Sequence, residues 1–126
     1  MHVREYVPSD YKTIETWMKG YSSETAVPEL WLPDTGFIID DLSCVFIYKT
    51  NSNIAYIEVL TGNPKAEKET KNIAINKVFE HAVAFAKEIG YKFVFAFVEK
   101  EYVENRLITL GFHDTGLNIK MMIRGI

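Results

Sequence analysis

The sequence predicts an α/β (α+β) domain built on a mixed, mostly antiparallel sheet of about six to seven strands, with flanking helices and a central parallel strand pair. Three observations lead to this. Gly36 to Ile39, Cys44 to Lys49 and Ile54 to Leu60 are strand-like runs joined by the turn formers Asp40-Asp41 and Thr50-Asn51-Ser52-Asn53, which makes an antiparallel meander. Lys71 to Gly90 then carries Ile75, Val78, Phe79, Ala82, Val83, Ala86 and Ile89 at helical spacing, with Lys77, Glu80, His81, Lys87 and Glu88 on the opposite face and Gly90 as its stop. Lys92 to Val98 is apolar on both faces and reads as a central strand, parallel to Ile54–Leu60 across the helical crossover.

The remaining elements follow in order. Val3 to Val7 alternates and stops at Pro8, after which Ser9 or Asp10 can cap a helix with Ile14, Trp17 and Met18 on one face. Gly20 to Pro33 holds two prolines and the bulky group Leu30-Trp31-Leu32 without sustained periodicity, so a loop with one helical turn is expected. Glu101 to Leu110 reads as a shorter helix ending at Gly111, and Phe112 to Thr115 with Leu117 to Ile123 as a terminal strand pair turning at Gly116. With no repeat, linker or low-complexity stretch, residues 1–126 are expected to form one domain.

Composition narrows the function. A hydrophobic fraction of 48% is ample for a core, and a net charge of −3 leaves no global field for a polyanion, which argues against nucleic-acid binding. No apolar run approaches the ~20 residues that cross a bilayer, and the alternating N-terminus is not a secretory signal, so no membrane partner is expected. Cys44 has no companion thiol for a disulfide or a zinc site, which fits a reducing, cytoplasmic setting and no metal. A homodimer stays open.

The stretch Glu80-His81-Ala82-Val83-Ala84-Phe85-Ala86-Lys87-Glu88-Ile89-Gly90-Tyr91-Lys92 resembles the "E-H-A-x-x-F-A-K-x-x-G-Y-K" helix and following strand of the GCN5-related N-acetyltransferases, the GNAT superfamily. Leu110-Gly111-Phe112 resembles that family's closing "K-L-G-F", and the order of elements is similar over the whole length. The resemblance, to a short divergent member, implies acetyl-CoA as co-substrate and an amine on a small molecule or peptide as acceptor. It places pantetheine along the Ile54–Leu60 strand and pyrophosphate on the amides of an arch opening the long helix, where the helix dipole favours anions.

The family's arch signature is Arg or Gln, two residues, Gly, one residue, Gly or Ala. Aligned on Glu80-His81-Ala82, it falls here on Thr70, Ile73 and Ile75, and a shift by one residue gives Lys71, Ala74 and Asn76. A branched side chain keeps backbone away from a phosphate where glycine would let it approach. Lys65, Lys68 and Lys71 can neutralise phosphates as point charges, or, interleaved with Glu67 and Glu69, form an ordinary solvated surface. Asn63-Pro64 is also a helix-start signature, and a helix beginning there would abolish the arch. The cofactor-binding set implied is Val59, Leu60, Thr61, Lys65, Lys68, Thr70, Lys71 and Asn72.

For catalysis, the resemblance asks for a base, an oxyanion donor and an acid. Glu58, sharing a strand face with Ile54, Tyr56 and Leu60, is the base candidate, and an otherwise apolar face should raise its pKa; a solvated or lysine-paired carboxylate is the competing reading. The backbone N–H of Val59 or Leu60 can polarise the thioester. Where the family has tyrosine as acid this chain has Leu107, which leaves Tyr102 as the candidate. His81 and His113 read as solvated. Trp17, Tyr21 and Trp31 flank the irregular segment and either line an acceptor pocket or pack the first helix on the sheet. Two alternatives to an enzyme stand: a non-catalytic binding or interaction protein of the same fold with a degenerate arch, and an unrelated α/β binding domain.

Overall fold

The computed structural model describes residues 1–21 and 26–126; residues 22–25 of the expected Gly20–Pro33 loop lie outside the described residues. Among the described residues five strands form one sheet in sequence order: β1 (Val3–Glu5), β2 (Gly36–Ile39), β3 (Ser43–Tyr48), β4 (Ile54–Gly62) and β5 (Phe93–Phe95). All neighbours are antiparallel except β4 and β5, which run parallel with Ile54, Ala55 and Tyr56 opposite Phe93, Val94 and Phe95. Among the described residues three α-helices accompany the sheet: α1 (Tyr11–Lys19), α2 (Lys68–Glu88) and α3 (Glu101–Thr109). The meander, the long helix and the crossover to a parallel strand are thus where the hydrophobic pattern places them, and the expected helical turn in the loop spans Glu29–Trp31.

The two faces of the sheet bury different residues, as the strand period of two requires. Phe37, Ile39, Val45, Ile47, Ala55 and Ile57 pack against Ala74, Val78, Phe79 and Ala82 of α2. Ile38, Cys44 and Phe46 take the opposite face, under Ile14 and Trp17 of α1. A strand covered on both sides reads as an unbroken apolar run, which is the sequence of Cys44–Ile47. Gly36 is required by this packing: a Cβ there would lie 2.6 Å from the ring of Phe46. Gly90, at φ +107, ends α2 in the left-handed region, and Tyr91 then clamps the β3–β4 turn by donating its hydroxyl to the Thr50 carbonyl and accepting from the Thr50 amide.

Two expectations are corrected. The sheet has five strands rather than six to seven, because Phe112–Thr115 and Leu117–Ile123 form no ladder. Gly116 does turn, at φ +75 with its amide on Asp114, but only Phe112 of the first segment finds the core, against Phe79, and an isolated two-stranded hairpin is marginal. In consequence β5, expected in the centre, is the edge strand. Its Val94 packs toward α2, whereas Phe93 and Phe95, with Phe97 beyond the strand's end, are exposed on the opposite side, where Ile14 and Trp17 of α1 pack on residues of β2 and β3.

Candidate active site

The β4 strand contains the feature from which the site is built. Phe46 pairs with Glu58 and Cys44 with Thr61, so β4 holds one residue more than β3 in the same interval, a β-bulge at Val59–Leu60. Val59 adopts φ +58, a left-handed conformation that a β-branched residue takes only when its surroundings force it. The Val59 carbonyl accepts from the Thr61 hydroxyl and the Cys44 thiol, which fixes the distortion from two sides. Cys44 itself is buried, and burial pushes its thiol up to about 12, so it is inert as a nucleophile.

The bulge reverses the strand's alternation. Val59 packs with the α1-side cluster and Leu60 with the α2-side cluster, which corrects the expectation that Leu60 shares a face with Glu58. Tyr56 and Glu58 precede the bulge and stay together on the α1 side. The parallel ladder ends at Tyr56 and Phe95, and just beyond it the Phe97 amide donates to Glu58 Oε1 at 2.8 Å. A side-chain carboxylate thus fills the opening where β4 and β5 part.

Glu58 is half-buried, and burial raises its carboxyl from 4.5 to about 7, with the Phe97 amide pulling the other way by favouring the charged form. Its neighbours are aromatic. Tyr48 lies opposite Tyr56 across β3 and β4, and its phenol is raised by burial first and by the Glu58 charge second. Tyr56 meets Phe97 in a stacked pair at 5.5 Å and Phe95 edge-on at 5.9 Å. Tyr48 donates its hydroxyl to the Trp31 carbonyl, which ties the proline-framed loop to this face. Tyr48 and Phe97 were not among the residues expected from sequence. Folding the hairpin on its Thr50–Asn53 turn pairs positions 48 and 56, a signal the sequence does contain; nothing in the sequence marks the Phe97 amide.

A cavity of about 330 Å³ shares Phe97 with this opening and is lined further by Val98, Leu107, Ile108, Phe112, His113 to Thr115 and Leu117 to Ile119. Leu107, standing where the resemblance asks for an acid, adds an apolar patch to a lining that also holds Glu104, His113, Asp114 and Asn118. Tyr102 is exposed on the first turn of α3. His81 sets its ring edge-on against Phe37 at 4.6 Å. Of the expected pocket aromatics, Trp17 is buried beneath α1 as core, whereas Tyr21 and Trp31 are each about half exposed.

The turn that precedes α2, where the resemblance places the arch, has several of its amides engaged. After β4 the chain turns at Asn63, whose side chain accepts from the Lys65 amide, and α2 begins at Lys68 rather than at Pro64. Glu67 caps the helix: its carboxylate accepts from the amides of Glu69 and Thr70 and from the Thr70 hydroxyl, and its carbonyl takes the Lys71 amide. These bonds hold the Glu67 carboxyl below the usual carboxylate range. A negative side chain therefore stands at the helix start, where the resemblance places a pyrophosphate. Lys65 and Lys68 are exposed, Lys71 lays its stem on Gly62 and its ammonium 5.5 Å from the Tyr21 ring, and Asn72 accepts from Arg106 of α3. Past Tyr56 the β4 backbone thus has no ladder partner on the β5 side, and at the start of α2 the amides of Glu69 and Thr70 are taken by Glu67.

No protein-family model and no curated protein matches the sequence. The fold does match. A GNAT-family acetyltransferase of Streptococcus pneumoniae superposes with a TM-score of 0.71 at 10% identity, over 98% of this chain and 97% of that one. An aminoglycoside acetyltransferase from an uncultured soil metagenomic sample, solved with sisomicin, gives 0.70 at 11% over 98% and 96%. A Mycobacterium tuberculosis protein solved with CoA gives 0.67 at 13% over 85% of this chain and 70% of that one. The chain has the GNAT fold across its length, at identities that speak for the fold alone. Among the described residues no helix is long and apolar enough to cross a membrane, and no cluster of side chains could hold a metal ion.

Proposed function

We propose that the protein is an N-acyltransferase that moves an acetyl group from acetyl-CoA to an amine, with Glu58 as the base. The observation that carries this reading is the placement of a half-buried carboxylate, raised to about 7, in the opening between the parallel strands and next to the Val59 bulge. The donor supplies an activated thioester carbonyl. The acceptor nitrogen bonds to that carbon, the carbon–sulfur bond breaks with its electron pair on sulfur, and the acceptor's proton passes to Glu58 directly or through a water. The amides of Val59 and Leu60 are the proposed oxyanion donors, and Tyr102 the proposed source of the thiol proton; Tyr102→Phe should slow turnover if it has that role. Lys65, Lys68 and Lys71 are proposed to meet the phosphates, with Thr70 and Asn72 beside them.

Thermal melts with added acetyl-CoA test the reading directly. Ligand at about 100 times its dissociation constant adds about 2.7 kcal/mol to a native state that alone binds it. An unchanged melt at millimolar acetyl-CoA and CoA would remove the enzyme reading. The Glu67 cap, together with Ile73 and Ile75 at the signature positions, supports the second reading, a non-catalytic binding protein of this fold.

Glu67 also separates the two. If the arch receives phosphate, Glu67→Ala frees two amides and removes a like charge, so CoA should bind several-fold tighter although the helix start is weaker. Titration of both proteins with CoA measures this; equal or poorer affinity in the variant would place the phosphates away from the start of α2.

A further inference from the structure

We propose that the acceptor is an aryl-alkyl primary amine, its ring laid on the Tyr56–Phe97 face and its ammonium held at Glu58. The inference rests on the acyltransfer reading for its chemistry, but the binding site it describes stands on the geometry of this face. Tyr48, Tyr56, Phe95 and Phe97 form one aromatic surface on the α1 side of β3, β4 and β5, and Glu58 is the carboxylate among them. Phe95 and Phe97 remain 39% and 51% exposed, an unusual state for two phenylalanines beside a half-buried charge.

The spacing suits a ring and an ammonium on one short chain. Tyr56 and Glu58 are two residues apart on one strand, about 6.6 Å at strand rise, which a tether of roughly two or three carbons spans. The Tyr56 and Phe97 rings already stack at 5.5 Å, so a third ring does not enter between them and takes their open side. An ammonium beside these rings gains cation–π attraction as well as the pairing with carboxylate. A polyamine or amino sugar fits less well. Its further ammonium groups find no carboxylate on Tyr48, Tyr56, Phe95 or Phe97, and its hydroxyls would lose water against ring faces.

The test compares phenethylamine, n-butylamine, spermidine and glucosamine, first as ligands of the free protein by calorimetry and then as acceptors with acetyl-CoA, following thiol release. Phenethylamine should bind several-fold and up to about tenfold tighter than n-butylamine, the difference expected of one ring-on-ring contact since both ammonium groups meet the same protein rings, and should show the same advantage in kcat/KM. Phe97→Leu, at a half-exposed position whose backbone amide to Glu58 is retained, should remove most of that preference by weakening phenethylamine more than n-butylamine. Equal binding of phenethylamine and n-butylamine, or a preference untouched by Phe97→Leu, overturns the inference; acetylation of the other amines would then leave the transferase reading standing. Preferred binding of phenethylamine without acetyl transfer supports the aromatic ammonium site and removes the transferase reading.

Discussion

Glu58→Gln is expected to lower turnover by about 10²–10⁴-fold while acetyl-CoA affinity stays near the native value, because the change removes a proton acceptor and keeps the side chain's size. Gln can still accept the Phe97 amide through its carbonyl, so the opening between β4 and β5 should keep its shape. The pH profile separates base catalysis from loss of charge. With the carboxyl moved by burial from 4.5 to about 7, native turnover should rise with an apparent pKa near 7 and level off above it, and the variant should lack that limb. Stability gives an independent reading with a definite sign. Between 4.5 and about 7 the folded protein holds a proton on Glu58 that the unfolded chain has released, so the Glu58 contribution to native stability is fully present below 4.5 and falls as pH rises through that window. Glu58→Gln should lose this downward slope and gain on the native protein as pH increases. Native-level turnover by the variant across the same range would make Glu58 structural and move the proton path to His81, His113 or a water chain.

What the sequence discloses and what it hides can be seen in β4. Its existence, direction and parallel partner follow from composition and from the length of the intervening helix, because burial on both faces and a right-handed crossover leave few arrangements. Glu58 is also legible, as a carboxylate on an apolar strand face. The bulge is not. Val59 is an ordinary strand former by type, and nothing local announces φ +58; the distortion is held by Cys44 and Thr61 and by the registers of two neighbouring strands. Leu60 was therefore expected on the wrong face, a slip of one residue that reverses every side chain beyond it.

The same limit applies at the sheet's edge and at the arch. Alternating phenylalanines at 93, 95 and 97 with valine and alanine between them have the pattern of a central strand, but whether a strand is central depends on what arrives beside it, and Phe112–Ile123 brings no ladder. Lysines around the start of α2 suggest an anion site by composition. Glu67 decides the electrostatics there through side-chain hydrogen bonds to Glu69 and Thr70, which only the folded turn after Asn63 brings into reach. Charge counting fails there because one carboxylate in contact with two amides outweighs several solvated ammonium groups farther off.

Phe46→Ala is expected to cost about 3–5 kcal/mol, the range for removing a fully buried phenylalanine and leaving a cavity behind. Phe46 is completely enclosed: Tyr6 meets its ring edge-on at 4.8 Å, Gly36 lies against it for want of a Cβ, and Ile14 and Trp17 of α1 close it from above. It is also the cross-strand partner of Glu58 on the same face, so its loss bears on the site. Water admitted to the vacated space would stabilise the carboxylate and bring the Glu58 carboxyl back down toward 4.5, shifting the rising limb of the pH profile to more acidic values. Phe46→Leu retains most of the volume and should cost only about 1 kcal/mol with a small shift of that limb. Chemical denaturation of the three proteins, with turnover followed against pH, measures both effects together. A loss under about 1 kcal/mol for Phe46→Ala would mean that α1 is not packed on the sheet as described, since a surface change is what has so small an effect. A large loss of stability with the limb still near 7 would assign the burial of Glu58 to Tyr48, Tyr56 and Phe97 instead of to Phe46.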